Sequence, residues 1–219
     1  MKFYFSLIFI FLMCEAVCAE EINSEYIIKT RGITIGVLSW SLFINDDRYQ
    51  TNISLESKGI LSKIYSFEGN YLSTGVVSKN TLIPKEYNQI WITKKRKRRV
   101  DILFNNLKIT KLVNIPAEKE KLRINLDELK KYSDPITSFL SILIDGRPSL
   151  TLDGRRAYLL KPEKNKNVIK ILVKKYRNLW ADHKRNNFEY IEVFKDENSI
   201  LPKKINIKFE GSIFSVIKN

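Results

Sequence analysis

Period-two alternation of apolar and polar residues constrains this chain more than any other feature. Tyr49, Thr51, Ile53 and Leu55 alternate with Gln50, Asn52, Ser54 and Glu56. Ile205, Ile207 and Phe209 alternate with Lys204, Asn206, Lys208 and Glu210, and Ile169, Ile171 and Val173 share one side against Lys170, Leu172 and Lys174. Successive side chains of a strand point to opposite faces, so these segments are predicted strands with one wet face. One-sided wetting is the habit of antiparallel sheets. Asn45-Asp46-Asp47, Asn105-Asn106 and Glu210-Gly211 supply turn chemistry between such runs and predict successive hairpins.

On this pattern strands are expected over residues 26–30, 33–44, 48–57, 65–77, 86–93, 98–104, 107–113, 156–160, 168–176, 188–194, 203–210 and 213–218. One segment departs from it. Ser133 and Asp134 are good N-cap residues, Pro135 suits the first helical position, and Ile136, Phe139, Leu140, Leu143 and Ile144 form an apolar stripe at helical period. Asp145-Gly146 then stops the helix, and Pro148 prevents its resumption. The expected fold is therefore mainly β (α+β): a curved antiparallel sheet or half-barrel partly wrapped around one short amphipathic helix. Residues 117–121 and 162–167 read as solvated loops, and residues 20–219 as a single antiparallel β domain.

Ahead of that domain stands a leader. Lys2 gives a positive start, residues 3–13 are apolar except Ser6, Glu15 ends the run, and Val17-Cys18-Ala19 places small residues where a signal peptidase cuts. Residues 1–19 are thus expected to be a cleavable signal peptide, with an exported, periplasmic destination for the rest. Its apolar run of roughly 11 residues is shorter than the ~20 that span a bilayer. No later segment is apolar for long enough to span either. Cys14 and Cys18 both fall in the leader, so the processed chain is expected to hold together without disulfides.

The formal net charge is +14, and removing Lys2 and Glu15 with the leader leaves it unchanged. An exported basic surface suits anionic lipid or acidic polysaccharide; nucleic acid is not an expected partner in that compartment. The charge also follows from a composition crowded with Lys, Asn and Ile.

With the strands placed, the chain resembles an exported bacterial family catalogued as domain of unknown function three-one-zero-eight. The resemblance rests on Gly36, Tyr49, Ser57-Lys58-Gly59-Ile60-Leu61, Phe67, Gly75, Pro84 with Tyr87, and Lys97-Arg98-Arg99-Val100. It continues through Asp134-Pro135-Ile136-Thr137-Ser138, Asp153-Gly154-Arg155-Arg156-Ala157-Tyr158 and Leu201-Pro202. The family more commonly has Leu at the position of Ile136. The resemblance implies export, a mostly β fold and a distant likeness to the half-barrel lipid and lipoprotein carriers of the bacterial envelope. It implies no activity and no site residue.

Candidate chemistry is sparse. Arg155 and Arg156 beside Asp153 are a possible anion contact, since guanidinium forks match carboxylate or phosphate oxygens. Read as a tight Asp-Gly turn into a strand, the same residues put Arg156 with Tyr158 on one face and Arg155 on the other, which speaks against a clamp. Lys94, Lys95, Arg96, Lys97, Arg98 and Arg99 are a possible contact for an anionic surface, or a solvated hairpin tip whose charges guard strand ends. Tyr87 and Trp91 nearby read as core. His183 is the only histidine, within Asp182-His183-Lys184-Arg185, so no zinc site is expected. No cofactor motif and no nucleophile or metalloprotease motif is present. Asp134, Asp127, Glu128 and Asp101 are the carboxylates that acid–base chemistry would use, although acidic residues at helix starts are ordinarily caps.

Three functions remain open from sequence. The first is a non-enzymatic envelope protein offering a sheltered apolar surface to a lipid, lipoprotein or other amphiphile. Its motive is surplus apolarity: the strand over 33–44 carries Ile33, Ile35, Val37 and Phe43 on one face and Leu38, Trp40, Leu42 and Ile44 on the other. The second is a carboxylate-dependent enzyme acting on envelope polymer, and the third a basic module adhering to anionic envelope surfaces.

Overall fold

The alternation is realised as one antiparallel sheet in a computed structural model, which describes residues 20–63, 66–180 and 188–219. The leader expected over 1–19 and His183 lie outside the described residues. Seven strands precede the helix: β1 (Glu20–Thr30), β2 (Ile33–Ile44), β3 (Arg48–Ser57), β4 (Phe67–Ser78), β5 (Thr81–Thr93), β6 (Lys97–Asn105) and β7 (Lys108–Ile115). Helix α1 (Pro135–Ile144) follows. Six strands complete the described chain: β8 (Ser149–Leu152), β9 (Arg156–Asn165), β10 (Val168–Asn178), β11 (Phe188–Asp196), β12 (Ser199–Phe209) and β13 (Ser212–Lys218). Their order in the sheet is β7-β6-β5-β4-β3-β2-β1-β13-β12-β11-β10-β9-β8, antiparallel throughout.

The sheet curls until its two edge strands face each other. A crossing segment bridges them: the Lys131 N–H donates to the Leu107 carbonyl at 3.0 Å, and the Ser133 N–H to the Leu150 carbonyl at 2.8 Å. Leu152 returns a bond to the Ser133 carbonyl. Asn114 of β7 donates its Nδ2 to the Gly154 carbonyl, just past β8, at 3.1 Å. Edge backbone is thereby given partners instead of being left open to another chain.

α1 lies inside one end of this near-barrel. Asp134 caps it, accepting from the Ile136 and Thr137 N–H groups, with Pro135 in the first turn. Asp145 closes it, and Gly146 follows at φ +70. The stripe read from sequence is partly rotated in fact. Ile142 is fully buried, Thr137 and Ser138 are buried with it, and Ile144 is 39% exposed. A helix enclosed on several sides buries more than one stripe, and its small hydroxyls are buried only because the sheet supplies partners. Those partners are Tyr49 and Ser73 for Thr137, and Ser149 for Ser138.

Several expected boundaries are corrected. Thr81 to Lys85 belongs to β5 despite Pro84, because the register slips between Thr74 and Gly75 and the β6 ladder ends at the Glu86–Leu103 pair. Proline is tolerated where no neighbour needs its N–H. The same holds for Pro162, read as loop but paired with Ile171 in β9 beyond the reach of four-residue β8. Strand β8 itself was not expected. Leu107, expected in a strand, instead takes a left-handed turn position with Asn106 (φ 62 and 48). In β2 a bulge between Ile28 and Lys29 pairings turns Ile35 inward beside Leu38. Residues 117–121 are irregular, as expected.

Candidate functional site: the open end of the barrel

α1 cannot fill the space the sheet encloses. Its ten residues are about 15 Å long, whereas twelve-residue β2 extends over about 40 Å. The helix takes the end near the β2–β3 and β4–β5 turns. The opposite end holds a cleft of about 840 Å³. Its wall comes from many strands: Ile28, Leu38, Leu55 and Tyr71 on one side, Ile207 and Val216 on the other. Between this cleft and α1 lies a second, smaller space of about 240 Å³, bounded by Ile136 and Phe139 of the helix. The two share Leu38, Leu55, Tyr71, Ile207 and Val216 as wall residues, so they are successive depths of one apolar recess.

The inward side of each strand follows the alternation, and the wall is shaped by where small residues fall. Gly69 lies under the Trp91 ring: a Cβ there would come within 2.9 Å of it. Trp91 stacks on Phe67 with centroids 5.5 Å apart and planes 6° from parallel. Trp91 therefore lines the cleft, whereas Tyr87, 1% exposed, is core as expected.

Arginines gather at the mouth. Arg98, Arg155 and Arg156 all line the cleft. This corrects the expectation that Arg155 and Arg156 oppose each other: β9 begins only at Arg156, so Arg155 belongs to the turn and escapes strand alternation. Asp153 builds that turn, accepting from the Arg155 and Arg156 N–H groups at 2.9 and 2.8 Å. Arg155 donates Nε to the Glu118 carboxylate. Arg156 stands 3.9 Å from Asp153 and 5.9 Å from the Tyr176 ring centroid. Burial raises the Asp153 pKa, against the lowering pull of Arg156 and the two N–H groups. Its side chain keeps 22% of its surface accessible, so the cleft wets it and the upward push is correspondingly weakened.

The six-residue basic run is divided by the fold. Lys94 and Lys95 form the exposed β5–β6 tip, closed by Thr93 and Arg96. Arg99 faces outward and pairs with Asp101 at 2.9 Å, while Arg98 sits on the Val100 side and reaches the cleft mouth. Partial burial lowers the Arg98 pKa first, and the positive charges of Arg155 and Arg96 lower it further.

The candidate carboxylates occupy separate surroundings. Asp134 is fully buried beneath the helix start, Asp101 is bonded to Asn88 and Arg99 on the outer face, and Asp127 and Glu128 are exposed on the 3-10 turn Leu126–Leu129.

These features define a barrel-like antiparallel β protein with one end plugged by a helix and the other left open by the described residues. A solved structure has a similar overall fold: the beta-barrel-like protein of domain of unknown function DUF1849 from Brucella abortus matches with TM-score 0.53 and 10% identity, over 90% of this chain and 95% of that one. At that identity the likeness concerns fold alone. No family model and no curated protein matches the chain, so the family resemblance read from sequence has no support from those comparisons.

Proposed function

We propose that this chain is an exported, non-enzymatic envelope protein that holds a lipid, lipoprotein acyl chain or other amphiphile in the open end of its barrel. The observation that carries the reading is the half-filled interior: an apolar recess of about 840 Å³ that continues inward toward α1. Such a volume is in the range of small-molecule sites. Burying a dozen methylenes gains roughly 10 kcal/mol gross, which offsets several kcal/mol of lost freedom. Export rests on the leader pattern of residues 1–19.

Native mass spectrometry of gently isolated protein should show an added mass of amphiphile that organic extraction removes. A clean spectrum, with no displacement of a fluorescent fatty-acid probe by the apoprotein, would overturn the reading. Leu38 is half-buried and borders both depths of the recess. Leu38→Trp should fill that space and weaken probe binding about tenfold or more, the equivalent of ~1.4 kcal/mol, with little change in melting temperature.

A second reading has its own observation. Ile33 and Ile213, 55% and 45% exposed, flank the β1–β2 and β12–β13 turns at the cleft mouth. The Lys94-Lys95 tip stands at the same end. Exposed apolar tips among cations suit an anionic bilayer, where each near-surface charge contributes about 1 kcal/mol. Reversing Lys94, Lys95 and Arg96 to Glu should weaken binding to phosphatidylserine vesicles by about 100-fold or more. Raising salt to about 1 M, where the Debye length is ~3 Å, should abolish it. Salt-insensitive binding would count against adhesion.

A further inference from the structure

We propose that Arg98 at the cleft mouth, with Arg155 and Arg156 beside it, seats the head of the bound amphiphile, so that the ligand carries a carboxylate or phosphate. The proposal rests on the amphiphile reading and adds the chemistry of the head.

Three segments far apart in the chain converge here: Arg98 from β6, Arg155 from the turn after β8, and Arg156 from the first position of β9. Their charges differ in how they are balanced. Arg155 is held by Glu118, and Arg156 has Asp153 at the long distance of 3.9 Å together with the Tyr176 ring. Arg98 has no hydrogen bond or ion pair among the described residues; Arg155, Arg96 and Arg156 act on it as like charges, and Glu118, already bonded to Arg155, offsets them only in part. Three guanidinium groups thus face two carboxylates, leaving one uncompensated positive charge where the apolar wall begins. An anion there would accept bidentate bonds from a planar fork and relieve repulsion among the three arginines. Phe209 and Phe214, beside the β12–β13 turn, begin the apolar wall at the mouth, and Ile207, which also borders the inner space, continues it toward α1.

The arrangement also explains why Arg98 differs from its neighbours in the basic run. Lys94 and Lys95 stand on the turn, and Arg99 is spent on Asp101 on the outer face. Arg98 alone of these six lines the cleft.

The test compares four probes by calorimetry on the delipidated protein: dodecyl phosphate, dodecanoate, neutral dodecyl maltoside and inorganic phosphate. The two anionic chains should bind at least tenfold more tightly than the neutral one. Arg98→Gln, at an exposed position that the fold does not depend on, should erase that preference while dodecyl maltoside binding stays unchanged. Arg98→Lys should restore only part of it, because an ammonium keeps the charge without the fork. Equal binding of all three chains, unaltered in Arg98→Gln, would overturn the head seat and leave the recess reading standing. No binding of any chain would sink both. Inorganic phosphate binding as tightly as dodecyl phosphate would also overturn the proposal, by showing an anion site that takes nothing from the recess.

Discussion

Asp134→Ala is expected to destabilise the protein by about 3 kcal/mol, a fall in melting temperature of roughly 6–12 °C for a chain of this size. Four donors converge on this carboxylate: the N–H groups of Ile136 and Thr137, and the hydroxyls of Ser73 and Thr137. With Thr137 donating to Asp134, Tyr49 donates to Thr137 across 2.6 Å, so the cap anchors α1 to β3 and β4 at once. Alanine loses the cap, worth about 1 kcal/mol, and strands buried hydroxyls at about 1–3 kcal/mol more. Asp134→Asn keeps an accepting oxygen and should cost less than half as much. Urea unfolding with an unchanged m-value would measure both.

The same carboxylate predicts a pH dependence. Burial raises its pKa above the ordinary carboxylate value, although the Thr137 and Ser73 bonds pull it down. The folded state then holds a proton that the unfolded chain has released, so stability is highest below about pH 4 for this group and falls as pH rises through the raised value. The hydroxyl partners make protonation feasible, because Ser73, Thr137 and Tyr49 can each donate or accept. Asp153 slopes in the same direction. The contribution of Asp134 is therefore the difference between wild type and Asp134→Asn, which should widen in favour of wild type as pH is lowered toward 4. A difference constant from pH 4 to 8 would show that the carboxylate stays ionised.

The strands were legible in the sequence because one wet face leaves a period-two record. The helix limits were legible because Asp134-Pro135 and Asp145-Gly146 solve local backbone problems. Pro84 and Pro162 misled for a physical reason: proline is excluded only where a neighbour needs its N–H, and neighbours are a property of the sheet. Four-residue β8 was too short to show a period, and the helical stripe missed Ile142 because a helix inside a barrel has no single dry side. Of the site, the apolar surplus of β2 was visible, but which face is enclosed was not. The even-numbered face turned out to be inward, and on the outer face the Arg48 guanidinium covers Phe43 at 5.4 Å. Arg98 left a usable signal: it shares parity with Val100, Ile102 and Phe104, the buried side of β6. Arg155 left none, since it stands just ahead of a strand that begins at Arg156, where alternation does not set a side chain's direction.

Gly75→Ala should be the most damaging small change, costing about 3 kcal/mol or more through overpacking. Gly75 stands directly opposite Tyr49 in the β3–β4 ladder. An added Cβ would meet the Tyr49 ring at 2.5 Å and its hydroxyl oxygen at 2.7 Å, and would collide with the Ile83 carbonyl oxygen. The first two contacts could be relieved by moving the ring, at the expense of the bond from Tyr49 to Thr137. The third involves backbone at the bulge that admits Pro84, where nothing can rotate away. Two outcomes separate these causes. If the carbonyl dominates, Tyr49→Ala will not rescue Gly75→Ala, and the double variant will be less stable than either single one. If the ring dominates, the double variant will match Tyr49→Ala alone, with a coupling of about 2–3 kcal/mol. The geometry favours the carbonyl, because a methyl group against a fixed oxygen must shift β5 itself, and β5 carries Trp91 into the wall of the cleft.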